Sequence, residues 1–175
     1  MGLLGYGVLA VSRAGGSSRR RARLVDSRAK GARGEYQVRD LLRKHTGLGW
    51  ERTPSSGALS YLKADLYVPH KKNVFSVEVK NYQEPILDIK VFTNKSSNFT
   101  KFWAKVEEDA KNMEQEPLLV FKHARSKWFL ATKKKPKKVT KYWYISWLDC
   151  YVLLFEDFLQ KEDIQWLSNL SNSPK

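Results

Sequence analysis

The chain has 175 residues, 42% of them hydrophobic and 13% aromatic, enough apolar mass for one packed domain. No apolar run approaches the ~20 residues that span a bilayer, and the single cysteine, Cys150, excludes an internal disulfide framework and fits a reducing compartment. The net charge of +14 is concentrated in two places: residues 1–34 hold eight basic side chains against Asp26, and residues 133–141 hold six lysines and no acid. The rest is nearly neutral. Positive charge gathered this way suits a polyanion, nucleic acid before an acidic membrane, because neither segment has the apolar face of an interfacial helix.

The opening Leu3–Val11 stretch lacks the basic start and cleavage site of a signal peptide, and Tyr6 stands where a myristoylation signal places Ser or Thr. Residues 1–27, rich in Gly, Ser and Arg and without a period, read as a flexible basic arm. One folded domain is expected over 28–170, with a lysine-rich loop at 133–141 and a tail at 171–175. Spacing predicts a helix from about Arg28 to Lys44, with Val38, Leu41, Leu42 and His45 on one face. Glu35, three residues before Val38 and seven before Leu42, shares that inward face. An acid there is costly unless it is paired or binds metal.

Gly47-Leu48-Gly49 breaks the helix, residues 50–53 form a short strand ended by Pro54, and Ser55-Ser56-Gly57 is a polar turn. Strands follow at about 64–69 and 74–80, joined through His70–Asn73. Residues 85–97 show no clear pattern. From Asn98 to Glu114 a stripe of Phe99, Phe102, Trp103, Val106, Ala110 and Met113 predicts a helix packed on the core. Residues 117–122 and 127–131 read as buried strands, and 142–147 and 151–155 add another strand or two. Within these, Tyr142, Trp143, Tyr144 and Trp147 are expected to be buried in strand rather than free to stack on bases, and Cys150 to be core. A short helix near 161–170 closes the chain. The sum is an α/β fold with a central mixed sheet flanked by helices.

The chemistry concentrates in Val74–Lys80. Alternation puts Phe75, Val77 and Val79 on one face and Ser76, Glu78 and Lys80 on the other. Asp65, on the preceding strand, brings a second carboxylate. Two acids and a lysine converging on a sheet can hold a divalent cation such as Mg²⁺, a hard ion that takes oxygen ligands and retains waters. Asp65 and Glu78 supply carboxylates and the Val79 carbonyl a third oxygen, Lys80 reaches the attacking water or the scissile phosphate, and Glu35 binds a second metal or orders the nucleophilic water. Arg33 and the lysines Lys133, Lys134, Lys135, Lys137 and Lys138 are expected to contact DNA phosphates. Gln83, after the strand, reads equally as a phosphate contact or a plain loop residue. No Gly-rich nucleotide cradle, Ser/His/Asp grouping or zinc spacing is present in the sequence.

The order Gly34-Glu35, Arg52, Ser55-Ser56-Gly57, Ala64-Asp65, Glu78-Val79-Lys80 resembles the PD-(D/E)XK nuclease superfamily, and within it the archaeal-type Holliday-junction resolvases. The later 117–122 and 128–130 strands and Glu156-Asp157-Phe158 are similar too, so the likeness spans most of the chain. It implies a restriction-endonuclease-like core in which Asp65 and Glu78 are metal ligands, Lys80 the catalytic lysine, Glu35 the helical catalytic acid, and Arg52 and Ser56, with Ser55 beside it, phosphate contacts. It further implies Mg²⁺, with Mn²⁺ able to substitute, a homodimer, and paired nicks on a four-way DNA junction inside a cell, most readily a prokaryotic or virus-infected one. Ala64 stands where the superfamily's name has proline. The alternatives are a restriction-like or repair nuclease on other DNA structures, and an inactive DNA-binding protein of the same fold.

Overall fold

A computed structural model describes residues 16–54, 63–93 and 97–162, the first eleven of them as backbone only. Helix α1 spans Gly16–Thr46. It buries Val38 and Leu42, one turn apart, against the sheet. Its end has a defined stop. Gly47 takes φ +65°, a left-handed conformation that glycine adopts without strain, and its N–H bonds the Arg43 carbonyl. The Thr46 hydroxyl bonds the Leu42 carbonyl and accepts the indole N–H of Trp50 at 3.0 Å, which turns the chain back over the core.

Three strands follow: β1 (Glu51–Arg52), β2 (Leu66–Tyr67) and β3 (Phe75–Asn81). Asn73 fastens the β2–β3 connection by bonding both the N–H and the carbonyl of Val68. A short helix α2 (Lys90–Thr93) and the longer α3 (Asn98–Asn112) come next, the latter capped by the Ser97 hydroxyl accepting the Thr100 N–H. The remaining elements are β4 (Glu116–Lys122), β5 (Phe129–Thr132), β6 (Tyr142–Ile145), a 3₁₀ turn, β7 (Cys150–Leu154) and α4 (Phe155–Lys161).

The strands form one seven-stranded sheet in the order β1-β2-β3-β4-β5-β7-β6. Only β3 and β4 run parallel, linked through α3; every other neighbouring pair is antiparallel. Each face carries its own core. Phe75, Val77, Val79, Leu118, Val120 and Leu130 meet α1 and α4 on one side. Leu119, Phe121, Ala131 and Val152 meet α2 and α3 on the other. This is the α/β mixed-sheet architecture expected from the pattern of elements. Among the described residues no helix is long and apolar enough to cross a membrane.

Three expectations meet the structure differently. Helix α1 begins at Gly16 rather than near Arg28, so residues 16–27 are helical. The sequence of that stretch shows no apolar period, but Arg, Ala and Leu are good helix formers without one. Helix α4 begins at Phe155, directly after β7, while residues 163–175, which hold most of the expected closing helix, lie outside the described residues. Trp143, Tyr144 and Trp147 are in or beside strand β6 but are 58%, 48% and 41% exposed, because β6 is the outermost strand among the described residues. Cys150 is buried, as expected.

Helix α1 lies tight against the sheet at Gly34. A Cβ there would lie 2.8 Å from the Asn81 Cβ and 3.3 Å from the Trp128 ring, so neither neighbour can swing aside cheaply. At Gly31, one turn earlier, an added Cβ would meet nothing within 4 Å among the described residues. We expect Gly34→Ala to destabilise the protein by about 1–3 kcal/mol through overpacking, and Gly31→Ala to be neutral or stabilising by up to ~1 kcal/mol. Thermal denaturation of both variants checks this; equal effects would mean that α1 does not sit against β3 at Gly34.

Candidate active site

Strand β3 divides its side chains as its alternation requires. Phe75, Val77 and Val79 enter the core beneath α1, while Ser76, Glu78 and Lys80 face the α3 side. Glu78 is only 6% exposed. The Lys80 ammonium, two residues on and on the same face, is ion-paired to its Oε1 and offsets part of the cost of burying it. Lys80 also lies 5.7 Å from the centre of the Phe102 ring on α3, and Tyr82 packs on that ring at 5.1 Å. Phe102 therefore walls one side of the site.

Asp65 reaches the same place from β2. Its N–H bonds the Val77 carbonyl, continuing the β2–β3 ladder. At the next rung its carboxylate replaces the backbone, with Oδ2 accepting the Val79 N–H at 2.8 Å. A strand residue's N–H and C=O point to the same side, so the Val79 carbonyl faces the cleft beside Asp65. Thr53 secures this turn from the other side. Its N–H bonds the Asp65 carbonyl at 2.9 Å and its hydroxyl the Ala64 carbonyl at 2.5 Å.

Burial and the neighbouring charge of Glu78 push the Asp65 carboxyl up to about 7, against the opposing pull of Lys80 and the Val79 N–H. Burial lowers Lys80, but Glu78 and Asp65 more than reverse this and hold its pKa above the ordinary lysine value. Among the described residues Lys80 is the cation ion-paired within the cluster, and Lys105, paired to Asp109, feels both acids from farther off. A cleft of about 690 Å³ opens onto it, lined by Glu35, Asp65, Val79, Lys80 and, toward the rim, Arg28 and Lys30. Lys30 bonds Gln83 at 3.0 Å, and its carbonyl accepts the Asn81 amide. These contacts tie α1 to the end of β3.

Glu35 is in the cleft but not in the cluster. Its Oε2 accepts the Arg52 Nε–H at 2.6 Å, and the Arg52 guanidinium lies over the Tyr36 ring at 4.6 Å while donating to the Tyr36 hydroxyl at 3.1 Å. The inward acid is thus paired with a cation. Among the described residues no three His, Cys, Asp or Glu side chains are grouped closely enough to hold a metal. The oxygen donors gathered in one place are Asp65, Glu78 and the Val79 carbonyl. Hard donors, two of them carboxylates, fit a hydrated Mg²⁺-like ion that fills its shell with water.

The expected DNA contacts are dispersed. Ser55 and Ser56 lie outside the described residues, and Arg33 is exposed on α1. The lysine run leaves β5 at Thr132, the end of the sheet remote from Lys80, and returns to the cleft end only at β6. Lys133 is paired with Glu107 at 2.7 Å. Lys135, Lys137 and Lys138 are exposed, Lys134 half-buried. The loop is held in place by Glu162, whose Oε1 accepts the N–H groups of Lys138 and Val139, with Val139 in the core. Phe102, Tyr82 and Lys30 are site residues that the sequence reading missed. Phe102 stood in an apolar helix stripe like any core residue, and no local pattern marks it.

The family described as "Phage putative PDDEXK endonuclease" matches residues 26–166. Protein D14 of Escherichia phage T5 is 42% identical over 113 residues, which cover 61% of this chain and 71% of that protein. A solved structure of Hjc from Archaeoglobus fulgidus, a Holliday junction resolvase from an archaeal hyperthermophile, overlays with a TM-score of 0.41 at 14% identity, covering 79% of this chain and all of that one.

The raised Asp65 pKa has a consequence for stability. The neutral form is favoured in the folded state, so this group's contribution is fully present below its unfolded value near 4 and is lost as pH rises through about 7. In EDTA, Asp65→Asn is expected to be more stable than the parent at pH 8 by about 1–4 kcal/mol, with the advantage shrinking toward pH 5. Melting curves across that range check it; a gap that does not change with pH would contradict the crowding of Asp65 and Glu78.

Proposed function

The chain belongs to the phage PDDEXK endonuclease family, and from that premise we propose that it is a Mg²⁺-dependent, structure-specific DNA endonuclease that resolves four-way (Holliday) junctions by paired nicks, acting as a homodimer in recombination or repair inside the host cell. The observation that carries the catalytic part of this reading is the convergence of Asp65, Glu78 and Lys80 at one strand edge, open to a charged cleft. Asp65, Glu78 and the Val79 carbonyl would hold the ion. When bound, it supplies a water of lowered pKa and neutralises charge growing on the phosphate. Mn²⁺, with similar ligand preferences, is expected to substitute.

The protein's own groups have separable tasks. Lys80 is held as a cation beside the two acids, so it serves as a compact charge facing the scissile phosphate rather than as a proton acceptor. Arg52 uses two of its five donors on Glu35 and Tyr36 among the described residues, which leaves others for a phosphate oxygen. Glu35 then acts chiefly by orienting Arg52 at the cleft. Arg33, Lys135, Lys137 and Lys138 bind backbone phosphates with little regard for sequence, and Ser55 and Ser56 are proposed to join them. A two-fold dimer matches a junction's symmetry because two equivalent sites then meet two equivalent strands.

The test incubates purified protein with a labelled four-way junction and a linear duplex of equal length, in Mg²⁺ and in EDTA. Symmetric nicks confined to the junction and present only with Mg²⁺ are expected. Asp65→Asn and Lys80→Ala should each lower the cleavage rate by roughly 10³-fold or more while a gel shift still detects junction binding. Equal cutting of both DNAs would replace the resolvase reading with a repair or restriction-like nuclease. Full cleavage by either variant would mean that the catalytic centre is elsewhere.

A further inference from the structure

A second cavity, of about 430 Å³, opens at the same end of the sheet as Lys80 but at the opposite edge, against β6. Its walls are largely apolar, from Phe129, Leu153 and Leu154, with Trp143, Lys141 and Asp157 at its borders. The strand register links it to the catalytic centre. Glu78, Leu119, Ala131, Val152 and Trp143 lie in one row across β3, β4, β5, β7 and β6 and therefore share a sheet face. Four strand spacings put Trp143 roughly 19 Å from Glu78.

Trp143 is the unusual residue. Its ring stacks on Phe129 with centroids 6.4 Å apart and planes 23° apart, yet it is 58% exposed. Its exposed neighbours are tethered: the Tyr144 hydroxyl donates to Asp149 and the Trp147 indole to the Val91 carbonyl. Trp143 makes no side-chain hydrogen bond among the described residues, so one broad ring is backed by a second and presents its other side outward. The segment that leads into it, residues 133–141, carries six lysines and no acid, the last of which, Lys141, borders the cavity. An aromatic platform joined to a basic track is the pattern that binds unpaired nucleotides, bases stacking on the ring and phosphates meeting the cations.

We propose that this cavity binds one unpaired base of the DNA substrate, stacked on Trp143, with its phosphate on Lys141. This rests on the DNA-endonuclease reading and deepens it: the substrate is DNA with a nucleotide out of the stack, about five or six nucleotide rises from the phosphate at the catalytic cluster. The volume is at the small end of ligand pockets, in keeping with one base. Asp157, whose carboxylate accepts from Lys161 at 3.1 Å, offers an acceptor to an amino or imino hydrogen of the base. The lysines that precede Trp143 favour a polyanion as the occupant over a second copy of this basic chain.

The test titrates full-length protein, in EDTA so that no strand is cut, with two labelled duplexes of equal length. One is fully paired; the other carries a single extra 2-aminopurine nucleotide. The bulged duplex should bind more tightly by roughly fivefold to hundredfold, the range one base–aromatic stack supplies, and 2-aminopurine emission should fall on binding. Trp143→Ala should abolish both effects while affinity for the paired duplex stays within about twofold, and Trp143→Phe should retain most of the preference, which separates stacking from misfolding. Equal affinity of the parent protein for the two duplexes, or parallel loss of both in Trp143→Ala, would overturn the proposal with the nuclease reading intact. Failure to bind either duplex would remove both. A fall in molar mass on Trp143→Ala, read by light scattering, would overturn it in favour of an interface between copies.

Discussion

Two carboxylates beside a cleft, one of them ion-paired to a lysine of the same interior strand, are the constraint around which this structure is arranged. Asp65 and Glu78 repel one another, with Glu78 buried and Asp65 half-buried. Left alone, such a pair would stay together only by protonating one member. Lys80 offsets part of the cost and the Val79 N–H another part. What is left over makes the cluster receptive to a divalent cation and raises Asp65 toward neutrality in its absence. The same arrangement that costs stability supplies the chemistry.

The surrounding elements hold that arrangement in place. Thr53 fixes the backbone of Ala64 and Asp65, so the carboxylate arrives where the β2–β3 ladder ends. Gly34 lets α1 settle against Asn81 and brings Glu35 into the cleft, and there Arg52 receives it. Arg52 is in turn clamped on Tyr36, and Arg39 lies against that ring at 4.8 Å. Helix α3, which carries the chain between the parallel strands β3 and β4, leans Phe102 over Lys80. Each contact joins an element of one face of the sheet, or of its edge, to the end of β3.

Much of this was legible in the sequence because its signals are local. The period-2 alternation of 74–80 placed Glu78 and Lys80 on one face, and the 3.6-residue spacing of Glu35, Val38 and Leu42 placed an acid inward. What could not be read there depends on partners far along the chain. The pairing of Glu35 joins residues 17 apart, and Phe102 reaches Lys80 from another element. The early start of α1 was hidden because residues 16–27 carry no apolar period for a helix to be read from. The exposure of Trp143 was hidden because the hydrophobicity of a strand does not reveal whether the strand is at the centre or the edge of its sheet. Edge position is a property of topology, and here the sheet order places β6 outside β7 although it precedes β7 in the chain.

Calorimetric titration of the metal-free protein with Mn²⁺ tests most directly whether the Asp65–Glu78 pair is a cation site. The parent protein should take up the ion saturably, Asp65→Asn should lose that binding, and Glu35→Gln should keep it, since Arg52 already occupies Glu35. Binding by Asp65→Asn equal to the parent's, or binding lost only in Glu35→Gln, would contradict the account and move the ion, and with it the reaction, to another part of the cleft.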